Sequence, residues 1–108
     1  MSELNKKPVL RRYKHVTEFE IKAVSAVFQT GVDNLELGNT LEAEKCFKLV
    51  RKSESRYHRR QAIWYLGLTY LKAYRVEEAI EILKKITPDF ENYEEVQKIL
   101  DALIRLDW

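Results

Sequence analysis

Two stretches of this chain carry the same pattern. A shift from position 31 to position 67 lays Gly31 on Gly67. It also pairs Val32 with Leu68, Leu35 with Leu71, Glu42 with Glu78, Ala43 with Ala79, Phe47 with Leu83 and Val50 with Ile86. Small residues meet small ones and large apolar residues meet large apolar ones, while charged positions vary between them. An internal period of this length is the mark of one supersecondary unit used twice. Gly67 lies inside AIWYLGLTYLKAYRVEEAIEIL, residues 62–83, where a helix loses about 1 kcal/mol relative to alanine. The cost is explained if Gly and Ala mark the places where two helices cross most closely. A Cβ at Gly67, or a larger side chain at Ala79, would hold the backbones apart.

Apolar periodicity places five helices around that repeat. Thr17-Glu18-Phe19-Glu20 has the capping-box form, and Val24, Val27, Phe28, Gly31, Val32 and Leu35 follow at helical spacing. Gly38 is expected to end this helix in a left-handed turn. Asn39, with Glu42 three residues on, is expected to cap a second helix that turns Leu41, Ala43, Cys46, Phe47 and Val50 inward and stops near Ser53. Ser55 caps a third reaching about Ala73. A fourth spans about Val76 to Ile86 and stops before Pro88. Asn92 caps a fifth with Val96, Ile99, Leu100 and Leu103 inward. No segment alternates as a strand would. The predicted class is all-α, with five antiparallel helices in consecutive hairpins. The domain is expected over 17–108, with units at about 18–53 and 55–88, a terminal helix at about 93–106, and a basic N-terminal tail over 1–16.

Composition narrows the function. Nineteen basic and 17 acidic residues nearly balance, which gives no general attraction to nucleic acid or membrane. The single cysteine, Cys46, allows no internal disulfide and fits a reducing compartment. No run is long and apolar enough to span a membrane, and the basic N-terminus leads into no secretory apolar region. A cytoplasmic location is the expectation.

The second unit, with Leu66, Gly67, Tyr70, Ala79 and Leu83, and the first, with Gly31, Gly38, Ala43 and Phe47, together resemble the tetratricopeptide repeat (TPR) family over residues 24–91. Thr30 and Asn34 depart from that pattern in the first unit. The resemblance implies that the first helix of each hairpin lines a concave groove that binds a peptide or partner helix. The implied groove positions are Ser25, Phe28, Val32, Leu35 and Glu36 in the first unit, and Gln61, Trp64, Leu68, Leu71 and Lys72 in the second. Phe28 and Val32 stand where carboxylate-clamp members carry polar residues, so the groove is expected to be apolar at its centre, suited to helix-in-groove recognition. The third helix is apolar on nearly all sides, which also fits simple burial. Its groove could be filled by the chain's own tail or fifth helix, by a second copy of the chain, or by a separate protein.

The run RKSESRYHRR, residues 51–60, is the best case for nucleic acid: Arg51, Lys52, Arg56, Arg59 and Arg60 could meet phosphates, and Tyr57 could stack on a base. The plainer reading is a solvated turn with its cations at a helix C-terminus. Lys6, Lys7, Arg11, Arg12 and Lys14 form a second basic cluster. Catalysis finds no motif. His15 and His58 have no carboxylate or thiol at a recognisable spacing, Cys46 reads as a small core hydrophobe, and no phosphate loop, metal-ligand cluster or nucleophile elbow is present. Glu81 and Lys85 stand four apart as a surface pair. The expected role is therefore non-catalytic protein binding, with no cofactor, metal or small-molecule substrate. Nucleic-acid contact and self-association are the alternatives.

Overall fold

The computed structural model describes residues 18–106; the basic cluster at 6–14, His15 and the Thr17 capping position lie outside them. Five helices follow one another: α1 Glu18–Leu37, α2 Thr40–Arg51, α3 Arg56–Lys72, α4 Val76–Leu83 and α5 Tyr93–Arg105. There is no strand among the described residues. The described fold is all-α.

The two hairpin turns are built alike. At the end of α1, Gly38 adopts φ 85°. Its N–H donates to Leu35 O at 3.0 Å, and the Asn39 N–H donates to Asn34 O at 2.8 Å. This pair of bonds closes the last turn and satisfies carbonyls the helix would leave orphaned. At the end of α3, Tyr74 adopts φ 62°, Tyr74 N–H donates to Leu71 O at 3.0 Å, and Arg75 N–H donates to Tyr70 O at 2.8 Å. Every partner is displaced by the same 36 positions (74 − 38). A tyrosine therefore occupies a left-handed position that glycine fills in the first hairpin.

Local expectations held in some places and failed in others. Ser55 caps α3, its hydroxyl accepting from the His58 N–H. Asn39 and Asn92 do not cap with their side chains; Asn39 Nδ2 donates to Asn34 Oδ1 instead, at 3.2 Å. The fourth helix ends at Leu83, three residues sooner than its apolar spacing suggested. Leu41 points outward at 70 % exposure. It lies two residues before Ala43, about 200° around the helix from it, so both cannot face the core.

The helices pack in sequence as antiparallel hairpins. Near the turn, Gly31 of α1 lies over Phe47 and Cys46 of α2; at the far end, Ala23, Val24 and Val27 meet Leu49 and Val50. In the second hairpin Gly67 lies over Leu83, and Ile63 approaches Ile86. Ala43, Phe47, Leu66, Ala79 and Leu83 are fully buried, with Val50, Tyr70 and Ile86 nearly so. Each large member of this set contributes about 1.5–3 kcal/mol by leaving water. Helix α3 packs on both α1 and α2; among the described helices α5 packs only on α4, and its Val96 and Leu100 are buried. Helices α1 and α3 run parallel, because Ser25 and Phe28 meet His58 and Phe28 meets Tyr65. No helix among the described residues is long and apolar enough to cross a membrane.

Candidate functional site

The parallel pair α1 and α3 presents the residues expected to line a groove. At helical spacing Ser25, Phe28, Val32, Leu35 and Glu36 form one stripe, and Gln61, Trp64, Leu68, Leu71 and Lys72 form another. Val32, Leu35, Leu68, Leu71, Gln61 and Ser25 are half-buried, while Glu36 and Lys72 are exposed. The four aliphatic side chains pack against the core on their inner sides. Among the described helices, α1 packs only on α2 and α3, so no described helix covers the outer side of this stripe. Phe28 is half-buried and held by aromatic neighbours. Its ring meets Phe47 at 5.7 Å and Tyr65 at 5.2 Å, both edge to face, which locks it into the seam between α1 and α3.

Trp64 does not stand open in the groove. It is 9 % exposed, with its ring 6.4 Å from that of Phe90. The connection after α4 folds back over α3 and places Phe90, itself buried, on the indole. The apolar face that no described helix covers runs through the half-buried Val32, Leu35, Leu68 and Leu71. Sequence spacing put Trp64 on the right stripe of the helix but could not foresee the segment that covers it.

His58 is not isolated. Ser25 Oγ lies 3.0 Å from its Nε2 and Ser55 Oγ lies 2.7 Å from its Nδ1. One ring nitrogen donates and the other accepts when the ring is neutral. Phe28 closes against the ring at 6.1 Å and Tyr57 at 5.2 Å. The bridge ties the first hairpin to the start of α3. With a hydroxyl at each ring nitrogen, the arrangement reads as a structural clasp.

A second polar cluster joins α2 to the α3–α4 turn. Glu44 is buried at 8 % exposure. It accepts from Arg75 Nη1 at 2.7 Å and from the Tyr70 hydroxyl at 3.2 Å, and pairs with Lys48 at 2.8 Å. Arg75 also bridges to Glu78 and lies 4.6 Å above the Tyr70 ring. Burial pushes the Glu44 carboxyl up, but the hydrogen bonds and charges of Arg75 and Lys48 outweigh it and hold the group at about 2. The Tyr70 hydroxyl is pushed up by burial and by the Glu44 charge. All charges here have partners, so the cluster is a tether rather than a reactive centre. No sequence signal singles it out, because Glu44 and Arg75 stand 31 residues apart.

The basic run divides at the turn. Arg51 lies in the last turn of α2, where the helix dipole favours a cation. Arg56, Arg59 and Arg60 open α3, where it does not. Arg51, Arg56, Arg59 and Arg60 come together around one cavity of about 380 Å³, joined by Lys85; Lys52 is exposed and does not line it. Arg59 Nη1 donates to Ser53 O at 2.9 Å, and Arg60 pairs with Asp89 at 2.9 Å. The expected Glu81–Lys85 pair does not form. Helix α4 has ended before Lys85, which turns instead toward the arginines.

Cys46 is half-buried, its thiol pushed up by burial and the nearby Glu42 charge, as befits an unreactive packing residue. Among the described residues no group of His, Cys, Asp or Glu is arranged to hold a metal ion. No family model, curated protein or solved structure matches this chain.

Proposed function

We propose that this chain is a small TPR-type module that works by binding another protein, without catalysis. The observation that carries this reading is the apolar stripe along the parallel helices α1 and α3, whose outer side no described helix covers. The repeated close crossings at Gly31 and Gly67, and the matching turns at Gly38 and Tyr74, support a repeated hairpin as the scaffold. The stripe offers Val32 and Leu35 on one helix and Leu68 and Leu71 on the other, each pair at i and i+3, flanked by Gln61, Glu36 and Lys72. Its chemistry suits the apolar face of a partner helix, with the polar rim setting register. Phe28 and Trp64 support the floor of the stripe instead of reaching the partner.

The test compares the wild-type chain with Leu35→Lys and Leu71→Lys variants of unchanged helicity and melting temperature. Sedimentation over a concentration series and affinity capture are the two measurements. Loss of a captured protein in both variants is expected. Capture unaffected by either substitution would refute the reading. A concentration-dependent dimer abolished by the same substitutions would assign the stripe to self-association.

A further inference from the structure

We propose that the cavity ringed by Arg51, Arg56, Arg59, Arg60 and Lys85 binds a compact polyphosphate group. Five cations line this space of about 380 Å³ and no acidic side chain does. Three of them sit in the first turns of α3, against the favourable direction of its dipole. Such a placement costs stability in the free protein and is relieved by an anion. Asp89, beside Arg60 and near Arg56, is the one carboxylate among the described residues that offsets this charge. Arg56 and Lys85 are exposed and make no ion pair among the described residues. Arg60 Nη2 lies 2.9 Å from Asp89 Oδ1, yet is buried without an aligned hydrogen-bond acceptor.

The arrangement selects among anions by charge density. Carboxylates on one face of an extended peptide recur about every 7 Å, so a cavity of this size takes one or two and leaves most of the cations unmatched. An extended nucleic-acid strand asks for a basic track, whereas these cations converge on one space. A chain of two or three phosphates carries about three to four negative charges within a few ångströms, and guanidinium forks bind its oxygens two at a time. A second cavity, of about 510 Å³, adjoins the first through Arg56, Arg60 and Phe90 and includes the exposed Tyr57 ring. Asp89 and Glu91 also line it, so it offers room for an uncharged nucleoside attached to the phosphates rather than for further phosphate. The phosphate cavity shares no residue with the apolar stripe, while the second cavity reaches the rim of the stripe at Gln61; the proposal does not depend on the protein-binding reading.

The experiment is calorimetric titration of the full chain with sodium tripolyphosphate, magnesium-free, at fixed low ionic strength. Saturable one-to-one binding that weakens with added salt is expected. Arg56→Gln and Lys85→Gln, both exposed and outside the core, should each weaken it about tenfold, the worth of one charge-assisted hydrogen bond. Lys98→Gln, on α5, should leave it unchanged. Parallel titrations with ATP and adenosine distinguish the sources. ATP about tenfold tighter than tripolyphosphate would identify a nucleotide, and equal affinities a free polyphosphate; either supports the site. The proposal fails if no saturable binding occurs, or if Lys98→Gln weakens binding as much as Arg56→Gln. It also fails if oligothymidylate binds more tightly than tripolyphosphate and gains affinity with length.

Discussion

Gly67 presents bare backbone to Leu83 where α3 crosses α4: a Cβ at position 67 would lie 2.7 Å from Leu83 Cγ. Gly31 stands in the same relation to Phe47, with 2.7 Å to Cε1. Both facing side chains are fully buried, so making room for a methyl group means shifting packed neighbours. Gly67→Ala should therefore destabilise the fold by about 1–2 kcal/mol, the overpacking strain exceeding the propensity gain of alanine. Urea unfolding of Gly67→Ala, Leu83→Ala and the double variant checks this. The double variant should lose less than the sum of the two, because truncating Leu83 makes the room that the added methyl group needs.

Tyr74 holds φ 62° while 90 % exposed. Its ring has little packing to set against a left-handed backbone, which costs a residue with a Cβ about 1–2 kcal/mol. Tyr74→Gly should raise stability by about 0.5–1 kcal/mol, since the strain relieved exceeds the added freedom of the unfolded chain. A lower melting temperature would show that the exposed tyrosine makes a stabilising contact.

Glu44 makes stability depend on acid. Its folded-state value of about 2 lies below the usual 4.5, so the group contributes stability that is complete above pH 4.5 and lost as pH falls toward 2. For a side chain only 10 % exposed, the shift corresponds to about 3 kcal/mol. Glu44→Gln should be less stable than wild type at pH 7 by a similar amount. The gap should narrow steadily between about pH 5 and pH 2, followed by denaturation at each pH.

Trp64 anchors the Phe90 connection to α3. Trp64→Ala should cost about 3–5 kcal/mol, as for other large-to-small changes at buried sites. It should also speed hydrogen exchange at the amides of residues 87–92, which lose their anchor. A variant as stable as wild type, with unchanged exchange there, would place the indole outside the core.

The apolar stripe on α1 and α3 was legible residue by residue, since spacing alone assigns Val32, Leu35, Leu68 and Leu71 to one face. Its limits were not, since Trp64 shares that face and is covered. The polar features followed the same division. Ser55 at the start of α3 is a local signal and caps as expected, whereas Ser25 reaching His58 depends on two helices lying side by side.

By itself, the sequence determined the helical class, the period between Gly31 and Gly67, the presence of close helix crossings at those glycines, and most of the core; that Phe47 and Leu83 are what the glycines face came from the structure. The former follow from short-range periodicity and from side-chain size at fixed offsets, which any helix of this sequence must display. Only the tertiary structure decided that Phe90 covers Trp64, that Arg75 reaches Glu44, that Lys85 joins four arginines around one cavity, and that Leu41 faces out. The first three depend on the path of the turns and of the connection between α4 and α5. That path is set by how whole hairpins stack, with no pattern in the intervening residues to announce it. Leu41 depends on which of two competing stripes on α2 meets α1, and the small Ala43, allowing the closer approach, wins that contest.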